Sequence, residues 1–376
     1  MRKTALAITI ILVLLVVAFI AVAKPAIGDV LVEDSWVTVA SLPKPYSYGI
    51  SGAAALDGKI YFIGEGICEC YDPDANAWTT VTPPTLYTGG AVAACQNKIY
   101  VIGDPTQVYD PSTGTWENRT ALPSTIIGYK ANVVDDKIYV ISGGKPAFYT
   151  ITDPSEATYV YDPETDSWSE LAPIPTPVQG YASAVLNNKI YIIGGGTATS
   201  MLENATNIVQ IFDTETNRWT NDTPIPTGVY DAGACSTSGL FAPKRIYVVG
   251  GNLYYNTGGI LAPTLPGSSL NQVYDLETGT WSSAAALPES RWLVSLVNVN
   301  DALYAVGGRN ASFVTTYANT QATEKYLPAG YNAHPTPTPP PADNFTANLL
   351  PIVVIVVIVT VAIVSLAVYH KKPKKN

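Results

Sequence analysis

The stretch Lys98-Ile99-Tyr100-Val101-Ile102-Gly103, followed a few residues on by Val108-Tyr109-Asp110-Pro111-Ser112-Thr113-Gly114-Thr115-Trp116, decides the fold. Its first half is short, β-branched and aromatic, and it ends on glycine, as a buried strand does. Its second half is turn chemistry. The Asp can bond to nearby backbone amides, and the Pro presets φ at the second turn position. The Trp opens a further strand, where a large ring can fill the gap between neighbouring units.

This phrase is written six times. The strand half recurs at residues 60–63, 99–102, 138–141, 190–193, 246–249 and 303–306. The turn half recurs as Tyr71-Asp72-Pro73 to Trp78, Tyr161-Asp162-Pro163 to Trp168, Phe212-Asp213 to Trp219 and Tyr274-Asp275 to Trp281. Counting from Trp36, successive tryptophans lie 42, 38, 52, 51 and 62 residues apart. Repetition at this period means a propeller, a solenoid or an array. The later growth falls after the double glycine, so it predicts longer loops with no added strands.

The ordered combination of Ile-Tyr, Gly-Gly, Tyr-Asp-Pro and Trp resembles the kelch repeat over about residues 34–328. The resemblance implies an all-β, six-bladed β-propeller with one four-stranded blade per copy. The ends agree with it. Trp36-Val37-Thr38-Val39 reads as an outer strand with no inner strands before it, and residues 302–308 and 322–328 read as inner strands with no Trp after them. The N-terminal strand is therefore expected to complete the sixth blade and close the ring. Two departures are expected to be local: Gly64-Glu65-Gly66 and Gly103-Asp104 stand where Gly-Gly is usual, and blade five carries an insertion around residues 236–243.

The chain is read as residues 1–24 signal peptide or signal anchor, 34–330 propeller, 331–346 Pro/Thr-rich stalk, 347–369 transmembrane helix and 370–376 basic cytoplasmic tail. Arg2 and Lys3 precede an uncharged run at 4–23, with Ala21-Val22-Ala23 offering a cleavage site. The apolar run 349–369 matches a bilayer core of about 30 Å, and four lysines follow it, which favours the cytoplasmic side. Residues 335–342 form a polyproline stretch. Cleaved or not at its N-terminus, such a chain holds its propeller on the extracytoplasmic side of the cell membrane. Sequons at Asn118, Asn204, Asn221, Asn310 and Asn344 are glycosylation candidates consistent with that exposure.

Net charge is −9, and residues 25–370 carry all 30 acids against 14 of the 21 bases. So acidic a surface argues against nucleic acid or anionic lipid as partner. Asp72, Asp110, Asp162, Asp213 and Asp275 belong to the repeated turns and do not make a catalytic set. The only histidines, His334 and His370, lie outside the repeats. That removes Ser-His-Asp and Cys-His catalysis and His-ligated metal from the propeller, the copper oxidases of kelch type included. Cys68-x-Cys70 has no second Cys/His pair at ligand spacing, and with Cys95 and Cys235 it reads first as packing, with one disulfide left open. No catalytic residue, metal or cofactor is expected.

Ligand candidates sit around the channel mouth. The kelch resemblance implies an Arg there, three residues after each blade-preceding proline. Here those positions hold Tyr48, Tyr87, Ile126, Val178, Val229 and Arg291. Tyr46, Tyr129, Tyr181, Tyr230 and Trp292 lie in the same loops, and the long loops 145–156, 196–206, 252–269 and 309–321 add Phe148, Tyr149, Tyr254, Tyr255, Phe313 and Tyr317. Rigid aromatics with polar tips suit stacking on sugars or anchoring a peptide. The reading is a membrane-anchored extracellular binding protein with a protein or glycan ligand. Two alternatives stay open: a sugar-active isomerase like the kelch-type sialic-acid epimerases, using Arg291 with Asp231 or Glu289, and a structural envelope component.

Overall fold

The computed structural model describes residues 32–44, 46, 52–64, 66–84, 90–147, 150–197, 203–255, 267–312 and 316–332. The two apolar terminal segments, the stalk from residue 333, the basic tail, Tyr48, Tyr87, Phe148, Tyr149, Phe313 and Asn344 lie outside these. Among the described residues no helix is long and apolar enough to cross a membrane.

Six four-stranded antiparallel sheets follow one another in the chain. Blade one is Gly52–Leu56, Lys59–Gly64, Ile67–Asp72 and Ala77–Thr80, and blades two to five repeat that order. In blade six the first three strands are Ser295–Val299, Ala302–Val306 and Thr323–Leu327, and the fourth is Ser35–Thr38 from the start of the chain. Trp36 pairs with Tyr326 and Val37 with Lys325 in that closure. The first strands lie side by side around the ring, and Gly52–Leu56 touches both Ala91–Cys95 and Ser295–Val299. The expected closure by the N-terminal strand is therefore what the fold contains.

Each piece of the repeat has a defined task. The second strand is the core: Ile60, Ile99, Ile138, Ile190, Ile246 and Leu303 are all fully buried. Its leading Lys or Arg reaches the Asp of the following strand in five blades, at 3.0 to 3.6 Å from Lys59–Asp72 to Arg245–Asp275. The other oxygen of that Asp takes backbone amides two or three residues on, as Asp162 does from Glu164 at 3.0 Å. These exposed pairs are worth under about 1 kcal/mol each; their use is to fix register. The hairpins between first and second strands need positive φ at both central residues. Asp57-Gly58, Gln96-Asn97, Asp135-Asp136, Asn187-Asn188 and Asn300-Asp301 supply it.

The tryptophans join the blades. Each ring packs on the Tyr or Phe of the adjacent strand with centroids 4.9 to 5.2 Å apart. Each indole N–H then donates to a carbonyl of the preceding blade's outer edge. The six bonds are Trp36 to Ala285, Trp78 to Ala40, Trp116 to Thr82, Trp168 to Thr120, Trp219 to Ala172 and Trp281 to Thr223, at 2.7 to 3.2 Å. The gap-filling role read from the sequence holds, with a hydrogen bond added.

The blade-five insertion is held by one carboxylate. Asp301, almost fully buried, accepts from the amides of Ser238, Leu240, Phe241 and Ala242 at 2.5 to 3.1 Å. Burial alone would raise its pKa, but the amide donors outweigh that and hold it below the usual carboxylate range.

One expectation is corrected. The extra length after the double glycines is not loop alone. Gly144–Ala147 pairs with Thr150–Pro154, Glu203–Asn204 with Tyr254–Tyr255, and Arg309–Ser312 with Thr316–Asn319. Once a segment leaving one end of a blade is long enough to turn back, its backbone groups satisfy each other most cheaply as a ribbon.

Two outcomes test these contacts. Trp219→Phe keeps an aromatic ring but deletes the bond to Ala172 and part of the indole packing, and a loss of about 1 to 3 kcal/mol is expected in urea unfolding. Asp301→Asn should cost about 3 kcal/mol. Because the folded pKa of Asp301 lies below its unfolded value near about 4, its contribution is complete above that value and fades as pH falls through the folded one. The Asn variant should therefore lose less stability than the parent on acidification below about pH 4.

Candidate binding site at the channel mouth

The loops entering the blades, the double glycines and the ribbons all meet at one end of the ring. Isolated bridges tie them: Ile127 to Gly144, Gln179 to Gly196, Tyr230 to Asn252 and Trp292 to Arg309. The insertion and the two-residue hairpins lie at the other end. Blades three to six thus carry ribbons at the mouth. In blade one the corresponding connection runs directly from Gly64 to Ile67, and in blade two from Ile102 to Thr106.

The entering loops are stitched to each other through backbone. Gly180 N donates to Gly128 O at 3.0 Å, Asp231 N to Gly180 O at 2.6 Å and Leu293 N to Asp231 O at 2.8 Å. All four residues have positive φ, between 53 and 71°. Gly180 has a second reason to be glycine: a Cβ there would sit 2.5 Å from the Tyr230 ring and 2.9 Å from Asp231 Oδ1.

Inside this stitching lies a cavity of about 150 Å³ to which every blade contributes: Gly52, Gly90, Lys130, Ser183, Gly233 and Ser295. Asn132 also lines it. The residue is 5% exposed, and its fully enclosed Nδ2 finds no partner. Burial lowers the pKa of Lys130, and the charge of Asp231 opposes that shift. Burial pushes Asp231 up to about 6, against the pull of Lys130 and Arg309. The guanidinium of Arg309 sits 5.3 Å from the centre of the Trp292 ring, with Nε donating to Asn319 at 3.0 Å.

Several candidates from the sequence point elsewhere. Position three after the loop proline is interior: Ile126, Val178, Val229 and Arg291 are at most 5% exposed. Arg291 ion-pairs with Glu324 and donates to the carbonyls of Gly307 and Ala322 at 3.0 and 3.3 Å. Its pKa falls to about 10 because of burial. Gln210 and Gln272 occupy the matching third-strand position, and each holds its own loop by paired bonds to Thr176 and Thr227. Arg291 is thus the partner that an acid at 324 requires; Glu289 also acts on its charge, while the Arg291 side chain itself is fully buried.

Tyr129 and Tyr181 are likewise buried, with hydroxyls donating to the carbonyls of Ile102 and Ile141 in the preceding blade. Tyr46 does the same to Gly308. Tyr230 and Trp292 keep part of their surface open at the mouth. Tyr254 and Tyr255 lie on a ribbon strand. Asn118 and Asn221 are exposed on outer strands, Asn204 is in a ribbon, and Asn310 donates to Glu289 at 2.7 Å. Among the described residues all four cysteines are free thiols, and no group of three His, Cys, Asp or Glu could hold a metal. Burial raises Cys68 to about 12 and Cys95 to about 11, the behaviour of packing thiols.

The sequence reading missed Lys130, Asn132, Ser183 and Ser295. One signal was available. Seven residues after each loop proline stand Gly52, Ala91, Lys130, Ala182, Gly233 and Ser295, so a single lysine interrupts a set of small residues.

Comparison with known proteins agrees with this architecture. Residues 70–251 match the model of the KLHDC2/KLHL20/DRC7 Kelch-repeats domain. Kelch-like protein 35 of Mus musculus is 31% identical over 179 residues, which is 43% of this chain and 29% of that protein. Kelch-like protein 26 of Danio rerio is 28% identical over 63% of this chain and 40% of its own length. Beta-scruin of Limulus polyphemus is 26% identical over 80% of this chain and 33% of its own. This chain therefore spans about a third of the length of these relatives. The solved structure of YjhT aligns with a TM-score of 0.62 over 76% of this chain and 95% of that one, at 18% identity, a likeness of fold.

If Arg291 serves Glu324, then Arg291→Ala should cost about 3 to 5 kcal/mol by leaving a buried carboxylate alone. Arg291→Ala with Glu324→Gln should recover part of that loss in urea unfolding, since glutamine serves at 210 and 272.

Proposed function

We propose that this chain, which belongs to the kelch-repeat family, is a binding module held at a membrane with its channel mouth turned outward toward an extracellular protein or glycan. A kelch propeller is a scaffold suited to protein interaction, and this much follows from the family. Membrane anchoring, the extracellular side and the glycan alternative are the further steps of the proposal.

The observation that carries it is where the chain enters and leaves. Ser35–Thr38 begins, and Thr323–Leu327 ends, at the hairpin end of the ring. Gly330 N donates to Glu33 Oε2 at 2.7 Å, so entry and exit are side by side. Arg245 holds Ala329 O at 3.1 Å, and Asn332 N reaches Phe241 O at 2.7 Å. Whichever apolar terminal segment anchors the protein, the tether then starts at the end opposite the mouth. The ribbons, Tyr230 and Trp292 are on the free end, which supports that end as the recognition face. Tyr48 and Tyr87 precede the first strands of blades one and two in the sequence and lie outside the described residues.

A second reading has one specific observation behind it. Lys130 and Asp231, with an acid pKa near 6, are a pair that a sugar isomerase could use for proton transfer. The alternative is tested by following anomer exchange of reducing sugars by NMR with and without the protein; exchange above the blank would favour it.

Binding of the full-length chain, in detergent micelles, to protein and glycan arrays tests the main reading. A saturable ligand whose affinity falls at least tenfold in Tyr48→Ala/Tyr87→Ala is the expected result. A ligand unaffected by that pair would move the site to the ribbons. Binding by no array member, or self-assembly without ligand, would favour the structural alternative.

A further inference from the structure

We propose that the channel is itself a binding site for a small organic carboxylate, held by Lys130 Nζ with the hydroxyls of Ser183 and Ser295 as further donors. This goes beyond the recognition reading and does not depend on what the rim binds.

Size sets the class of ligand. About 150 Å³ equals the share of roughly five waters in the liquid, enough for a compact acid of a few heavy atoms. The chemistry of the wall sets its polarity. Ser183 and Ser295 add two hydroxyls that can also donate. A donor-rich wall suits an acceptor-rich ligand.

Charge points the same way. Among the described residues, no carboxylate comes within ion-pair distance of Lys130, although Lys98, Lys137 and Lys189 all have one. Asp231 acts on Lys130 through its charge at longer range, in a protein otherwise strongly acidic. The backbone of the half-buried Asp231 is held by its bonds to Gly180 and Leu293, and no ion pair forms between its carboxylate and Lys130. An unmatched cation in a narrow cavity is costly until an anion arrives. A bound carboxylate would supply the missing negative charge.

Asp231 should make this binding depend on pH. Ionised, it competes for Lys130 and repels the ligand; protonated, it does neither. With its pKa near 6, the anion should bind more tightly on the acid side of that value.

The test uses the full-length chain in detergent micelles and two probes, pyruvate, which stays ionised throughout, and its uncharged amide. Isothermal titration at pH 5.5 and pH 7.5 reads affinity. Saturable binding of pyruvate but not the amide is expected, at least threefold tighter at pH 5.5. Lys130→Met should weaken it at least tenfold while the unliganded melting temperature stays or rises. Asp231→Asn, which keeps Lys130, should tighten binding at pH 7.5 and change it little at pH 5.5. Equal affinity in Lys130→Met, equal affinity for the amide, or no binding of pyruvate at either pH would overturn the proposal. A failed array screen on the rim would leave these results untouched, so the two readings can fail separately.

Discussion

A four-stranded blade has two apolar faces and can bury neither by itself. The ring exists because each blade offers its neighbour both a packing face and a directed bond, the indole N–H of its outer strand aimed at a carbonyl on the blade before. Six such bonds at 2.7 to 3.2 Å run round the outside. Positive-φ side chains beside them add more: Asn76, Asp166 and Asn217 take the amides of Ala40, Thr120 and Ala172. On the mouth side the buried hydroxyls of Tyr46, Tyr129 and Tyr181 reach back one blade in the same sense. The blades are therefore latched at two radii, and the backbone stitching of the entering loops forms a third contact nearest the axis.

The rigid ring lets the mouth hold groups that would not persist elsewhere. Asp231 sits in the left-handed region with its amide and carbonyl both committed, and Lys130 is placed by the strand that follows it. Both are thus presented at the mouth from fixed backbone positions.

The fold was legible because its determinants are local and repeated. Lys-Ile-Tyr, Tyr-Asp and Trp each name a strand or turn within ten residues, and six copies leave little freedom in the blade count. Closure was legible too, from a tryptophan strand without a blade and a blade without a tryptophan. The mouth was less so. Whether Tyr129, Tyr181 or Arg291 faces solvent depends on the neighbouring blade, which no single repeat encodes. Arg291 matched the family position, yet Glu324, 33 residues on, decides its fate. Lys130 was hidden for the opposite reason: it is the exception in a set of small residues, and a reading built on what repeats passes over what does not. The ribbons were missed because their strands pair across irregular sequence, Glu203–Asn204 with Tyr254–Tyr255 from the next blade.

The closure strand also has a mechanical meaning. Ser35–Thr38 is the one outer strand not joined by a turn to the strand it pairs with. Its partner ends beside its start, so a load applied through both ends of the propeller enters blade six at one end of one antiparallel pair. In that geometry the backbone bonds are strained one after another from Ser35 inward, as in a zipper, and do not share the load as they would in shear. Under tension the ring would open at blade six first, while the other five blades, each a continuous hairpin, stayed closed.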